Sequence, residues 1–228
     1  MVLPVKVFEV RGLEGDPRDT LMGWREVEEL EDEETQLVTE VIDLEQVEDT
    51  VTGVFTRDFM RERVYRRRTR MTPETEEAPF WIVPHEGRHF LVVMAPSVAR
   101  GVKKMLSNHV AVKIGDILNV DIRESRITSE TLQRLHEGNP KATNLIWFDN
   151  VDIPSVNKLC LSGEGIADTG LYKDYIDHGM IWYVVFTSLA KGYTVGITRS
   201  AVVTNFSKST VDEYIAFVRE DILKLIEG

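Results

Sequence analysis

His85-Glu86-Gly87-Arg88-His89 spells H-E-x-x-H, the pattern with which a helix holds zinc and activates water. That chemistry needs both imidazoles one helical turn apart on one face, with the glutamate as general base. Here Pro84 precedes the string, Gly87 interrupts it, and the β-type runs Phe80-Trp81-Ile82-Val83 and Phe90-Leu91-Val92-Val93 flank it. The five residues read as a hairpin turn, with His85 and His89 on opposite strands. A metal-dependent hydrolase using His85 and His89 therefore ranks behind two binding roles. No other string carries chemistry further. His109, His136 and His178 lack spaced partners, and His109 falls on the apolar stripe of its predicted helix. Cys160, in Leu159-Cys160-Leu161, reads as a small hydrophobe with no activating base nearby. Leu161-Ser162-Gly163-Glu164-Gly165-Ile166 lacks the third glycine and Lys-Ser/Thr ending of a phosphate loop, and reads as a turn between strands. Asp149-Asn150-Val151-Asp152 lacks the spacing and terminal glutamate of a calcium loop. The sequence thus predicts no enzyme, no catalytic residue, no metal ligand and no cofactor.

The arginines are the informative group. Residues 57–70 hold seven of them (Arg57, Arg61, Arg63, Arg66, Arg67, Arg68 and Arg70) against Asp58 and Glu62, a net +5. A guanidinium fork donates two parallel hydrogen bonds to a phosphate, and several such contacts give salt-dependent, sequence-independent affinity. Arg61, Arg63, Arg66, Arg67, Arg68 and Arg70 are the candidate nucleic-acid contacts. In one extended strand, Arg66, Arg68 and Arg70 share one face and Arg61, Arg63 and Arg67 the other. Charge on both faces implies an edge strand or a hairpin projecting from its sheet. Two other uses compete. The glutamates of residues 26–34 can pair with these arginines, within the fold or in a second copy, and charge on an edge strand opposes aggregation.

The elements that position these residues follow from period and caps. Val5 to Val10 alternates as a strand ended by Gly12, and Asp19 or Thr20 caps a helix through Leu21, Trp24, Val27 and Leu30. Strands are predicted over 36–47, 50–60, 62–72 and 79–84, the last pairing through Glu86-Gly87 with residues 89–94. Pro96 and Ser97 open a helix striped by Val98, Val102, Met105, Leu106 and His109. Then Ile117–Ile122 is a strand, and Ser129 caps a short helix through Leu132 and Leu135 that Gly138 and Pro140 stop. Strands follow over 143–151, 156–163, 180–188 and 192–206. The last helix opens on a capping box, Thr210 with Glu213, and is striped by Val211, Tyr214, Ile215, Val218, Ile222 and Leu225. The four tryptophans, Trp24, Trp81, Trp147 and Trp182, each lie in an apolar run and are expected in the core. The expectation is an α+β chain of two similar halves, 1–114 and 115–228, each an antiparallel sheet closed by an amphipathic helix.

Composition sets the surroundings. With 228 residues and 43% hydrophobic content, one large or two small domains can bury a core. No apolar run is long enough to span a membrane, and Met1-Val2-Leu3-Pro4-Val5-Lys6 lacks the regions of a signal peptide. A single cysteine fits a reducing compartment, so a cytoplasmic location is expected. One Cys and three Gln among so many charges are compatible with a heat-loving source. The net charge of −11 is uneven: residues 13–50 carry fifteen acids and two bases, −13, which leaves the rest of the chain at +2. A global argument against nucleic acid therefore does not reach the arginine segment.

The twice-repeated order of strand, helix, strands and helix resembles the layout of the TATA-box-binding protein fold across nearly the whole chain. The resemblance is one of arrangement: the paired intercalating phenylalanines and basic saddle of that family have no match here, so TATA binding is not implied. Size, strand-rich doubling and an arginine strand are also similar to the stand-alone amino-terminal and linker subunit that partners short archaeal Argonautes. Two binding roles result. One is a subunit of a nucleic-acid-associated assembly, contacting DNA or RNA phosphate through the arginine strand. The other is an interaction subunit that joins a dedicated protein partner, such as a short Argonaute, or a second copy through sheet edges.

Overall fold

Glycines and two-residue turns punctuate the chain more finely than its hydrophobic periods suggest. In a computed structural model, residues 4–30, 35–96, 105–138, 142–189 and 191–227 are described. They form mixed α and β structure in two compact units, Val5–Arg123 and Glu124–Gly228 with Met1–Pro4. The expected division at residues 114 and 115 falls inside a helix, and the units part at 123 and 124.

The first unit contains β1 (Val5–Arg11), α1 (Arg18–Leu21), β2 (Arg25–Glu29), β3 (Gln36–Val47), β4 (Thr50–Tyr65), β5 (Arg68–His85), β6 (Arg88–Met94), α2 (Ser107–Leu118) and β7 (Asp121–Glu124). Its strands run in the order β2-β3-β4-β5-β6-β1, with β7 beside β1. Neighbours along β2 to β1 are antiparallel. The strand over 5–10, the strand over 36–47 and the hairpin at Glu86-Gly87 are where the sequence put them. Phe8, Phe55, Phe80, Ile82, Leu91 and Val93 pack under Val110, Ala111 and Ile114 of α2. Where Phe80 crosses β4 its ring lies over Gly53: a Cβ there would sit 2.9 Å from the Phe80 ring, so only glycine leaves room.

Several boundaries differ. No helix covers 20–30: α1 ends at Leu21, Gly23 turns the chain at φ +71°, and the acidic run becomes β2, exposed at all five positions. Its period suits either element, and pairing with β3 decides the outcome. The helix expected from Ser97 partly lies outside the described residues, but Met105 and Leu106 precede α2, which starts at Ser107. His109 is consequently exposed, off the buried stripe of Val110, Ala111 and Ile114. The strand expected at 117–122 is shortened to β7, because α2 continues to Leu118 and ends on left-handed Asn119.

The second unit contains α3 (Ser129–Glu137), β8 (Thr143–Asp149), β9 (Leu159–Ser162), α4 (Gly170–His178), β10 (Met180–Thr187), β11 (Thr194–Thr198), β12 (Val202–Asn205) and α5 (Val211–Phe217). Its antiparallel strand order is β12-β11-β10-β8-β9. Thr128, one residue before the expected cap, accepts from the Thr131 amide to start α3. The capping box at Thr210 and Glu213 forms as predicted. A π turn over Val218–Ile222 then continues α5, and the extra residue rotates the stripe. Phe217 and Leu223 are buried as well as Val218 and Ile222, whereas Val211 is 47% exposed. No helix was expected at α4, whose cap is Thr169 and whose Tyr172 packs edge-on against buried His136, ring centroids 4.7 Å apart. Of the tryptophans, Trp81 is buried and the other three are half-buried. No helix among the described residues is long and apolar enough to cross a membrane.

Candidate nucleic-acid interface

The arginine run forms not one strand but a hairpin projecting from its sheet, the second of the two expected placements. The predicted strand 50–60 continues to Tyr65 as β4, and the predicted strand 62–72 is broken at Arg66 and Arg67, where the chain turns into β5. Both turn residues are left-handed, with φ of +47° and +63°. Two consecutive positive φ values give the type I′ turn, whose twist matches a hairpin and which ordinarily takes Asn-Gly. The turn also resets the alternation. Arg57, Phe59, Arg61, Arg63 and Tyr65 share one face of β4, and the register puts Arg68, Arg70, Thr72, Glu74 and Glu76 of β5 on that same face. Arg68 thus joins Arg61 and Arg63, while Arg66 and Arg67 occupy the tip.

The two strands are 16 and 18 residues long, three times an ordinary strand. β3 last pairs with β4 at Arg57, and β6 pairs with β5 only from Phe80 onward. Beyond those points β4 and β5 pair with each other alone, an eight-residue arm reaching roughly 25 Å at about 3.3 Å per residue. Residues 62–71 are exposed on both faces and carry five arginines against one glutamate, a net +4.

The arginines divide by depth. At the base, Arg61 is 9% exposed and pairs with Glu76, whose other oxygen accepts from the Met105 amide at 2.6 Å. Arg63 forms a fork with Glu74, whose carboxyl is held below its ordinary value by the Arg63 hydrogen bonds. The glutamates that meet the arginines therefore come from the returning strand. Of the acidic segment, Glu26 pairs with Lys113 instead, and residues 31–34 lie outside the described set. Arg57 and Arg61 flank the Phe59 ring, 5.3 and 5.2 Å from its centroid, and Arg66 stacks on Tyr65 at 5.5 Å. Among the described residues Arg66, Arg67, Arg68 and Arg70 form no ion pair, so four guanidiniums at the outer end lack a carboxylate partner.

The remaining candidates fall elsewhere. Glu86 and Gly87 are a second left-handed turn pair, and His85 opposes Arg88 while Pro84 opposes His89. Adjacent pairs face opposite sides of a sheet, so the two imidazoles of the H-E-x-x-H string diverge. His85 packs edge-on against Phe90. Among the described residues no three His, Cys, Asp or Glu side chains gather as a metal site. His178 meets Asp152 at 2.7 Å, and Asp149 pairs with Arg199. Gly163 and Gly165 lead into a short 3₁₀ turn at Ile166–Asp168, rather than from strand to strand. Cys160 is exposed on β9, and what burial its sulfur has pushes the thiol up, away from thiolate chemistry.

Sequence reasoning missed Glu74, Glu76, Phe59 and the mirror relation of β4 and β5. The available signal was the equal parity of 57, 59, 61, 63 and 65 before the turn and of 68, 70, 72, 74 and 76 after it. Compared with models of known families and with curated proteins, the chain matches none.

Proposed function

We propose that this protein is a non-enzymatic nucleic-acid-binding module that grips phosphate with the β4–β5 ribbon. The observation that carries the reading is the set of four arginines without ion pairs at the end of a two-stranded arm. A two-stranded ribbon is narrow enough for a nucleic-acid groove, and its arginines then lie beside both backbones. Backbone contacts of this kind carry no base information, so DNA and RNA duplexes are both substrates for the grip. The turn supports the reading too. Left-handed arginine costs about 1–3 kcal/mol per residue against what the turn prefers, and charge at the tip is the return for that strain. A doubled plan like that of the TATA-box-binding protein fold, and a cytoplasmic place in a nucleic-acid-processing assembly, belong to the same proposal.

The test is a titration of duplex and single-stranded oligonucleotides over a range of salt. Arg66, Arg67, Arg68 and Arg70 changed together to Ala should weaken binding and lower the salt slope by about one unit per lost phosphate contact. Affinity and slope unchanged from the parent chain would overturn the reading.

A second reading rests on β2. It is exposed along its length, pairs on one side with β3, and alternates Arg25, Glu26, Val27, Glu28 and Glu29. Its other side offers backbone groups to an added strand, and its glutamates select a basic one. A short Argonaute-like partner or a second copy would dock there, and co-purification from the source organism decides it: a lone monomer contradicts this reading.

A further inference from the structure

The ribbon has a second face. Opposite the strand arginines, the register aligns Met60 with Pro73, Glu62 with Met71 and Val64 with Thr69. Val64 is 71% exposed and Met71 56%; Pro73 is exposed as well, and Met60 is half-buried at the foot of the arm. Met71 is the diagonal neighbour of both Val64 and Met60, so the four side chains form one apolar strip along the arm. Single exposed apolar residues are ordinary, but a continuous strip marks a contact surface. One carboxylate, Glu62, lies within it.

We propose that the ribbon turns this strip to the floor of a DNA major groove, where it reads thymine methyl groups. The inference rests on the nucleic-acid reading of the arginines and names the bases against which they hold the ribbon. The major groove, about 12 Å wide, admits a two-stranded ribbon. With the strip inward, the opposite face comes to the groove mouth, where Arg68 and Arg70 have phosphate on either side. Thymine presents an apolar group on that floor, its C5 methyl, and burying it on Val64 or Met71 adds affinity that phosphate contacts do not give. Glu62 would be repelled by phosphate, but on the floor it meets the amine of adenine or cytosine. An RNA duplex closes its major groove to side chains, so the strip reads DNA alone. Two other occupants fit less well. A bilayer would have to take Glu62 in with the apolar residues, beside its own anionic headgroups. A second copy needs roughly 800 Å² per partner for a standard interface, more than four side chains on a narrow arm supply.

Fluorescence anisotropy of the full chain tests this over a range of salt, with an alternating adenine–thymine DNA duplex and the same duplex carrying uracil for thymine. Loss of the methyls should weaken binding about tenfold for two contacts and leave the salt slope unchanged. Val64→Ser with Met71→Ser, both at exposed positions, should bind the two duplexes equally at the parent's salt slope. Thermal melts establish that this variant is folded. The matching RNA duplex should be indifferent to the double substitution. Steep, salt-dependent binding with equal parental affinity for the thymine and uracil duplexes would overturn this inference and leave the arginine grip standing. No salt-dependent binding to either duplex would overturn both. Binding to phosphatidylserine vesicles, or dimerisation, that the double variant abolishes would assign the strip to a bilayer or a second copy and overturn it too.

Discussion

Arg66 and Arg67 occupy backbone that suits Asn and Gly, and this gives a prediction with two opposed readouts. Arg66→Asn with Arg67→Gly should stabilise the hairpin turn, raising unfolding free energy by up to about 1–3 kcal/mol, while weakening nucleic-acid binding. A denaturant titration beside a binding titration checks it, and a loss of stability would refute the strain argument. His136 gives a second prediction at this scale. Fully enclosed on α3, with neither ring nitrogen hydrogen-bonded among the described residues, it is held below the usual imidazole value by burial, against the opposing pull of Glu137 and Asp168. A histidine whose folded value is depressed takes up its proton more readily when unfolded. Stability should therefore be unaffected by this group above about pH 6.5 and fall as pH drops from there toward the depressed value. His136→Phe should flatten that limb in thermal melts between about pH 7 and 5; an unchanged limb would mean that another group causes it. Nothing in the sequence flagged His136, because the partner that encloses it, Tyr172, lies on a helix with a faint periodic signal.

At the scale of elements, the ribbon is separable from the sheet that bears it. Arg61 opposes Thr72, so replacing residues 62–71 with Asn-Gly closes a type I′ turn on that pair and keeps the register of everything below. The shortened chain should melt within a few degrees of the parent, since the removed residues are exposed and contribute little burial. Gly53→Ala should do the reverse, forcing the Phe80 ring aside and costing about 1–3 kcal/mol with the ribbon intact. The strands were readable where alternation or a dipeptide was decisive, as at 36–47 and at Glu86-Gly87. They were misread where tertiary pairing outweighed local period. Residues 24–30 satisfy a helical stripe, but Gly23 and the β3 edge convert them to strand. The arginine run defeated parity counting because its turn lacks Asn, Gly or Pro. A hairpin projecting from the sheet was one of two placements the arginine run allowed, but the strand arginines share one face rather than two, which the sequence did not disclose. The partition of arginines into paired and unpaired was likewise hidden, since it depends on glutamates that lie eleven and fifteen residues away along the chain.

For the whole molecule, charge is segregated rather than balanced. The chain is strongly acidic, yet the exposed arm from 62 to 71 is basic, and the acidic run of residues 13–50 does not neutralise it within the described residues. A polyanion approaching such a chain is repelled by the acidic run of residues 13–50 and attracted by the arm, so binding should be steeply salt-dependent and confined to that arm. The decisive measurement is an oligonucleotide affinity titration across salt, comparing the parent chain with the chain whose residues 62–71 are replaced by Asn-Gly. The account predicts measurable affinity with a steep salt slope for the parent, and loss of most of both in the shortened chain at unchanged thermal stability. Equal affinity and equal slope in the two proteins would contradict it.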